Sequence, residues 1–166
     1  MSIEHFKAPE HFDPIKSLNL LERAKAEGKI FHGSRNPGLE KLDPGLAFDH
    51  TPKHGGEHME VVYAAPDDFL LPLVLSLARP IDPKQPMGLR ISGRDGRPKV
   101  WSETHNIKFN GEGYIYVLDP ANFREGNHDY EVYADEAVPI EQEIQVGPEV
   151  LQLLIDKGDI ECDIEL

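Results

Sequence analysis

The sequence predicts an α+β fold, and three observations carry that expectation. Strand-like and helix-like segments do not alternate along the chain in the regular way a doubly wound parallel sheet requires. The stretch MGLRISGRDGRPKVWSE (87–103) has the form of a β-hairpin, with Asp95-Gly96 at its turn. Helix starts are legible at three places, Asp13-Pro14, Pro66-Asp67-Asp68 and Pro148, well separated by strand-like sequence.

Taken in order, Asp13 is a capping carboxylate and Pro14 suits a first helical position. Ile15, Leu18, Leu21 and Ala24 recur at helical spacing and Gly28 ends the segment, so 14–27 reads as a helix lying on a larger body. Residues 29–32 form a short strand. Seven prolines and glycines between 35 and 60 (Pro37, Gly38, Pro44, Gly45, Pro52, Gly55 and Gly56) predict a mainly irregular loop, of a length that is usually functional. EVVYAA (60–65) is a strand, and Pro66-Asp67-Asp68 caps a helix to about Leu77, with Pro72 tolerated near its first turn. GYIYVLDP (113–120) alternates aromatic and β-branched residues and is a strand. YEVYADEAVPI (130–140) and EQEIQV (141–146) read as two more strands or one long bent one. A helix over 148–156 buries Val150, Leu151 and Leu154, and 160–164 closes the sheet. No repeat or second domain is visible, so 1–166 reads as one domain, long enough to bury about two thirds of its unfolded surface.

The charge is unevenly placed. The net charge is −13, and residues 101–166 hold 16 acidic residues against Lys108, Arg124 and Lys157. The first hundred residues balance, with 14 basic and 14 acidic side chains. An acidic surface repels nucleic acid, whose non-specific affinity comes mostly from phosphate neutralisation. A small basic pocket in the neutral half could still accept a phosphate-bearing small molecule. The longest apolar stretch, FLLPLVLSLA (69–78), is too short to span a membrane. The start, MSIEHFKAPEHF, lacks the basic-then-apolar order of a secretory signal, and Cys162 is alone, so a cytoplasmic location is expected.

Several chemistries find little support. His50, His54 and His58 are four apart, but Pro52 and Gly55-Gly56 argue against a helix presenting them together, and a solvated loop is the plain reading. No Gly-x-Ser-x-Gly elbow or phosphate-binding glycine motif occurs, and Cys162 sits among acids that disfavour a thiolate. Arg90, Arg94 and Arg97 around Gly93 and Gly96 read as an exposed basic turn. Three features remain in order: His32-Gly33-Ser34 at the end of one strand, Tyr63 just before a helix, and Glu131 late in the chain. Glu136 competes with Glu131, since Asp135 and Glu136 lie close by and strand alternation would send Glu131 and Glu136 to opposite faces.

Together these residues resemble the ADP-ribosyltransferases of the His-Tyr-Glu type, and are most similar to small bacterial members such as the rifampin-modifying enzymes. FHGS, the Pro/Gly-rich loop, VVYAA running into a helix, GYIYVLDP and EVYADEAVPIEQEIQV follow in the family's order over about residues 29–146. The resemblance implies split antiparallel sheets with peripheral helices, in a core over about 29–166 behind the N-terminal helix. It implies NAD as substrate, cleaved at the nicotinamide–ribose bond by transfer or hydrolysis. His32 would bond a ribose hydroxyl, the Gly33 backbone would meet the carboxamide, and Ser34 would assist. Tyr63 would offer a face to the nicotinamide, and Glu131 would stabilise the cationic ribose. The 35–60 loop would wall the pocket and 101–112 would help select the acceptor. A toxin or small-molecule modifier is the expected setting, with an antitoxin or immunity protein as a conceivable partner and the acceptor unidentified. The alternatives are an inactive binding module on the same scaffold and, against the acidic charge, an RNA 2′-phosphotransferase.

Overall fold

The computed structural model describes residues 12–48, 58–93, 96–126 and 131–166. In chain order the elements are α1 (Pro14–Ala26), β1 (Ile30–Ser34), β2 (Lys41–Leu42), β3 (Gly45–Phe48), β4 (His58–Ala64), α2 (Leu70–Leu77), β5 (Ala78–Arg79), β6 (Leu89–Ser92) and β7 (Lys99–Ser102). There follow β8 (Lys108–Phe109), β9 (Gly113–Leu118), a single 3-10 turn (Pro120–Asn122), β10 (Arg124–Glu125), β11 (Val132–Ala134), β12 (Val138–Pro139), β13 (Gln142–Val146), α3 (Pro148–Asp156) and β14 (Glu161–Cys162). Among the described residues the fold is mixed α+β, three α-helices with several small, mostly antiparallel sheets.

Strand β9 is the centre. It is flanked by β1 and β13, both antiparallel to it, with His32 opposite Tyr116 and Ile144 opposite Ile115. Its side chains are buried on both faces, which is why GYIYVL is apolar throughout rather than alternately polar. Ile115 and Val117 face a core built with Leu21 of α1, Leu73 and Leu77 of α2 and Leu151 of α3. Tyr116 and Leu118 face a second cluster with Val62, Ala64 and Ala134, supplied by the other large sheet, whose order is β10-β11-β4-β3. Besides this packing, among the described residues one β-bridge joins the two sheets, Phe31 with Ala65, whose N–H and C=O groups exchange bonds of 3.0 and 2.7 Å.

The first helix forms where its spacing predicts. Asp13 Oδ1 accepts from the N–H groups of Ile15 and Lys16, and Gly28 ends the element at φ +77, a conformation that favours glycine. Ser17 ties α1 to the central sheet by donating 2.7 Å to the Gln145 carbonyl.

Elsewhere the expectations need correction. Helix α2 begins at Leu70, because Asp67 takes φ +67 and breaks the run; the Asp68 carboxylate bonds the Phe69 N–H one residue before the helix. Within 35–60, of which 49–57 lie outside the described residues, the described residues include two strands, β2 and β3, and β3 pairs with β4. Their partners come from other parts of the chain, so local glycine and proline content could not reveal them. Residues 131–146 form neither two strands nor one long bent one but three: β11 joins β4, β12 crosses to β2 in a different sheet, and β13 pairs with β9. The last strand does not close the main sheet but adds parallel to β7 in the β6–β7 hairpin. The β6–β7 hairpin itself forms where the sequence predicts, paired from Leu89 opposite Ser102 to Ser92 opposite Lys99; Asp95 of its turn lies outside the described residues. No helix among the described residues is long and apolar enough to cross a membrane.

Candidate functional site

The single bridge between the sheets is what makes a site. Beyond Phe31 and Ala65 the two strands diverge, and the gap opens as a cleft of about 150 Å³. His32 and Gly33 line it from β1, Tyr63 from β4 and Glu131 from the residue before β11, while Leu71, Pro72 and Leu75 of α2 form the opposite wall. A cavity of ~150 Å³ accepts one benzene-sized ring. Anything larger has to extend along the open edge.

Register explains the convergence. In the β11–β4 pair Tyr133 stands opposite Tyr63 and Val132 opposite Ala64. Continuing that register brings Glu131 opposite Ala65, on the same face as Tyr63 because faces alternate with period two. Glu131 is half-buried, whereas Asp135 and Glu136 are exposed beyond β11 and do not line the cleft. Of the two competing glutamates, the cleft therefore holds Glu131. Its backbone is pinned by the Gly126 N–H, which donates 3.2 Å to the Glu131 carbonyl; a Cβ on Gly126 would press on both the Glu131 carbonyl and its Cγ. Gly126 is a positioning residue that sequence reading missed, because the contact depends on β10 folding back on β11.

His32 spans the gap. Its Nδ1 lies 2.6 Å from the carbonyl oxygen of Tyr63, in place of the ladder bond that the diverging strands no longer make. A carbonyl only accepts, so Nδ1 carries the proton and a neutral ring presents Nε2 as an acceptor. Gly33 has two distinct properties. A side chain there would run into the Pro72 carbonyl oxygen, so glycine is required for β1 to pack on α2. Antiparallel alternation also turns its N–H and C=O away from β9, toward the edge that Phe31 uses for Ala65. They point at the divergence and have no partner among the described residues.

Ser34 does not line the cleft, and its hydroxyl accepts the Asn36 N–H at 3.1 Å. No described residue of 101–112 lines it either; Trp101, Ser102, Glu103, His105 and Ile107 border a separate groove. His50 and His54 lie outside the described residues, and no group of three or more potential metal ligands occurs among the described ones. Of the turn arginines, Arg90 is bonded by both nitrogens of its fork to Glu103 and Arg97 pairs with Glu161, while Arg94 lies outside the described residues. Burial pushes the Cys162 thiol up, and it donates to the Ile164 carbonyl at 3.4 Å, so it is no thiolate nucleophile.

The segment leaving the cleft is held firmly. The Tyr116 hydroxyl donates to the Asn36 carbonyl at 2.5 Å and lies 3.4 Å from the Leu39 N–H, which donates to it. Glu143 accepts the Gly38 N–H at 2.6 Å. Desolvation pushes the Tyr116 phenol up to about 12; the Leu39 N–H pulls it back, and the adjoining Glu143 carboxylate adds to the rise.

No family model, curated protein or solved structure matches this chain.

Proposed function

We propose that the cleft is an NAD site and that the protein is a mono-ADP-ribosyltransferase or NAD glycohydrolase of the His-Tyr-Glu kind. The single observation that carries this reading is that His32, Gly33, Tyr63 and Glu131, separated by up to 99 positions in the chain, border one small cleft. A gap between two antiparallel sheets joined by one bridge agrees with the split-sheet scaffold that the resemblance implies.

Each residue has a chemical task in that reaction. The nicotinamide ring enters between Tyr63 and the Leu71–Leu75 wall, a space of single-ring size. The Gly33 N–H and C=O meet its carboxamide, one donor and one acceptor matching one acceptor and one donor. His32 accepts a ribose hydroxyl proton at Nε2, with its orientation set by the Tyr63 carbonyl. As the bond to nicotinamide breaks, positive charge grows on the anomeric carbon and ring oxygen. A carboxylate at Glu131, fixed before the reaction begins, stabilises that charge without reorganising. The leaving group departs with the bonding electron pair as neutral nicotinamide, and an acceptor hydroxyl, side chain or water adds to the ribose and loses its proton.

The test is incubation of the full chain with NAD, with nicotinamide release followed by chromatography. Turnover that falls in Glu131→Gln and in His32→Ala supports the reading. Undiminished turnover in the double variant removes it. NAD binding by calorimetry with no turnover in any acceptor would instead make the cleft a binding module on the same scaffold.

A further inference from the structure

Two arginines near the cleft send their guanidinium groups to one and the same carbonyl oxygen. Arg90, Arg97 and Lys99 each have a carboxylate partner. Arg35 and Arg79 have none among the described residues, and their guanidinium groups meet. Arg35 Nη2 donates 2.6 Å to the Ala78 carbonyl, and Arg79 Nη1 donates 2.9 Å to the same oxygen and 2.9 Å to the Ser76 carbonyl. Arg79 Nη2 reaches the Glu112 main-chain carbonyl at 3.5 Å, while the Glu112 carboxylate is occupied by the Tyr114 hydroxyl. Two like charges thus converge on one oxygen at the C-terminal end of α2. Burial, then the charge of Arg35, push the Arg79 guanidinium below its ordinary value.

Capping the last carbonyls of α2 explains part of this, since cations are favoured at a helix C-terminus. It does not explain the pair. One arginine satisfies both the Ser76 and Ala78 carbonyls, and the second adds repulsion while most of its five donors stay unused.

Position supplies the rest. Arg35 is two residues beyond Gly33 and one past the end of β1, and its side chain reaches the end of α2 at the Ala78 carbonyl. Gly33 meets the start of that helix at Pro72 and Arg35 meets its end at Ala78, six residues on. At 1.5 Å per residue the arginine pair lies ~9 Å along the helix from the cleft. A ligand with its ring in the cleft and a chain running along the open edge would bring its next groups to this point. Arginine forks bind phosphate oxygens two at a time, and two forks match a dianionic diphosphate.

We infer that Arg35 and Arg79 form a diphosphate seat, holding the phosphates of the dinucleotide whose nicotinamide end occupies the cleft. This rests on the NAD reading for its occupant, but the seat itself requires only a phosphate-bearing ligand.

The test is calorimetric titration of the full chain with inorganic pyrophosphate, ADP-ribose and nicotinamide, in wild type, Arg35→Gln and Arg35→Lys. Arg35 is exposed, so its replacement leaves the fold intact, checked by thermal unfolding. The expected result is a loss of about 10-fold or more in pyrophosphate and ADP-ribose affinity in Arg35→Gln, as removal of a charge-assisted hydrogen-bond donor to phosphate produces. Nicotinamide affinity stays unchanged and Arg35→Lys recovers part of the loss. Unchanged pyrophosphate and ADP-ribose affinity, or an equal loss for nicotinamide, overturns the seat. No binding of pyrophosphate or ADP-ribose to the wild type overturns it as well. Arg35-dependent pyrophosphate binding without any nicotinamide or NAD binding keeps the seat and removes the NAD reading. Nicotinamide and NAD binding indifferent to Arg35 does the reverse.

Discussion

Two concavities among the described residues differ in character. The cleft at the sheet junction measures about 150 Å³, while the groove beside Trp101 and β14 measures about 620 Å³. In the larger one several polar groups are already committed to protein partners. Glu103 is held by Arg90, Asp163 by Lys99, and the Trp101 indole N–H donates to Ser92. The smaller one is bordered by Gly33, whose main chain faces away from β9, and by the His32 ring, whose Nδ1 is held by the Tyr63 carbonyl. Size therefore points one way and chemistry the other. What separates them is strand divergence: a complete ladder uses up its own donors and acceptors, and a ladder that stops after one bridge leaves the next ones to a ligand.

Four substitutions or conditions sharpen or break that contrast, beginning with the largest effect. Removing the carboxylate in Glu131→Gln lowers NAD cleavage by about 10²–10³-fold, as loss of a preorganised charge-stabilising group does, whereas Glu103→Gln in the groove leaves the rate as it was. Equal rates in the two variants would exchange the standing of the two concavities. Next, Gly33→Ala drives a methyl into the Pro72 carbonyl and destabilises the chain by ~1–3 kcal/mol, read as a lower urea midpoint. Gly96→Ala, in the hairpin loop near the groove, meets nothing and shifts stability by less than ~0.5 kcal/mol.

The third concerns pH. The Tyr116 phenol is raised in the folded chain to about 12 and lies near its ordinary value of about 10 when unfolded. Between those values the folded state keeps a proton that the unfolded state has lost, so stability is complete below pH ~10 and declines as pH rises toward ~12. Tyr116→Phe flattens that part of the alkaline profile, by on the order of 1 kcal/mol after allowing for screening by the solvent-facing loop it bonds. The fourth and smallest is Leu75→Ala. Leu75 is 49% exposed yet lines the cleft, so nicotinamide binding weakens ~2–5-fold in titrations while the melting temperature hardly moves. A large loss of stability instead would make Leu75 a core residue and the cleft wall a packing feature.

How much of this was legible in the residues varies with the range of the contacts involved. Helix α1, β1, β9 and the β6–β7 hairpin follow from spacing and capping within a few residues. The short strands β2, β3 and β12 do not, because each exists only through a partner far along the chain. His32, Tyr63 and Glu131 could be singled out by order, but Gly126, Leu71 and Pro72 could not. Their place at the site comes from β10 folding onto β11 and from the close approach of α2 to β1. Ser34 was misplaced for a related reason: its hydroxyl is taken by a local turn with Asn36 that no pattern of residue types announces.

By itself, the sequence determined the three helices and the longer strands, where the acidic charge lies, and which titratable residues stand beside apolar strands. Those properties depend on neighbours within a turn or two. Only the tertiary structure decided that one bridge, rather than a full ladder, joins β1 to β4, that Glu131 rather than Glu136 borders the resulting gap, and that Arg35 and Arg79 share one carbonyl oxygen. Each of these outcomes is set where distant strands and a helix end meet, and the packing of a whole core fixes such distances.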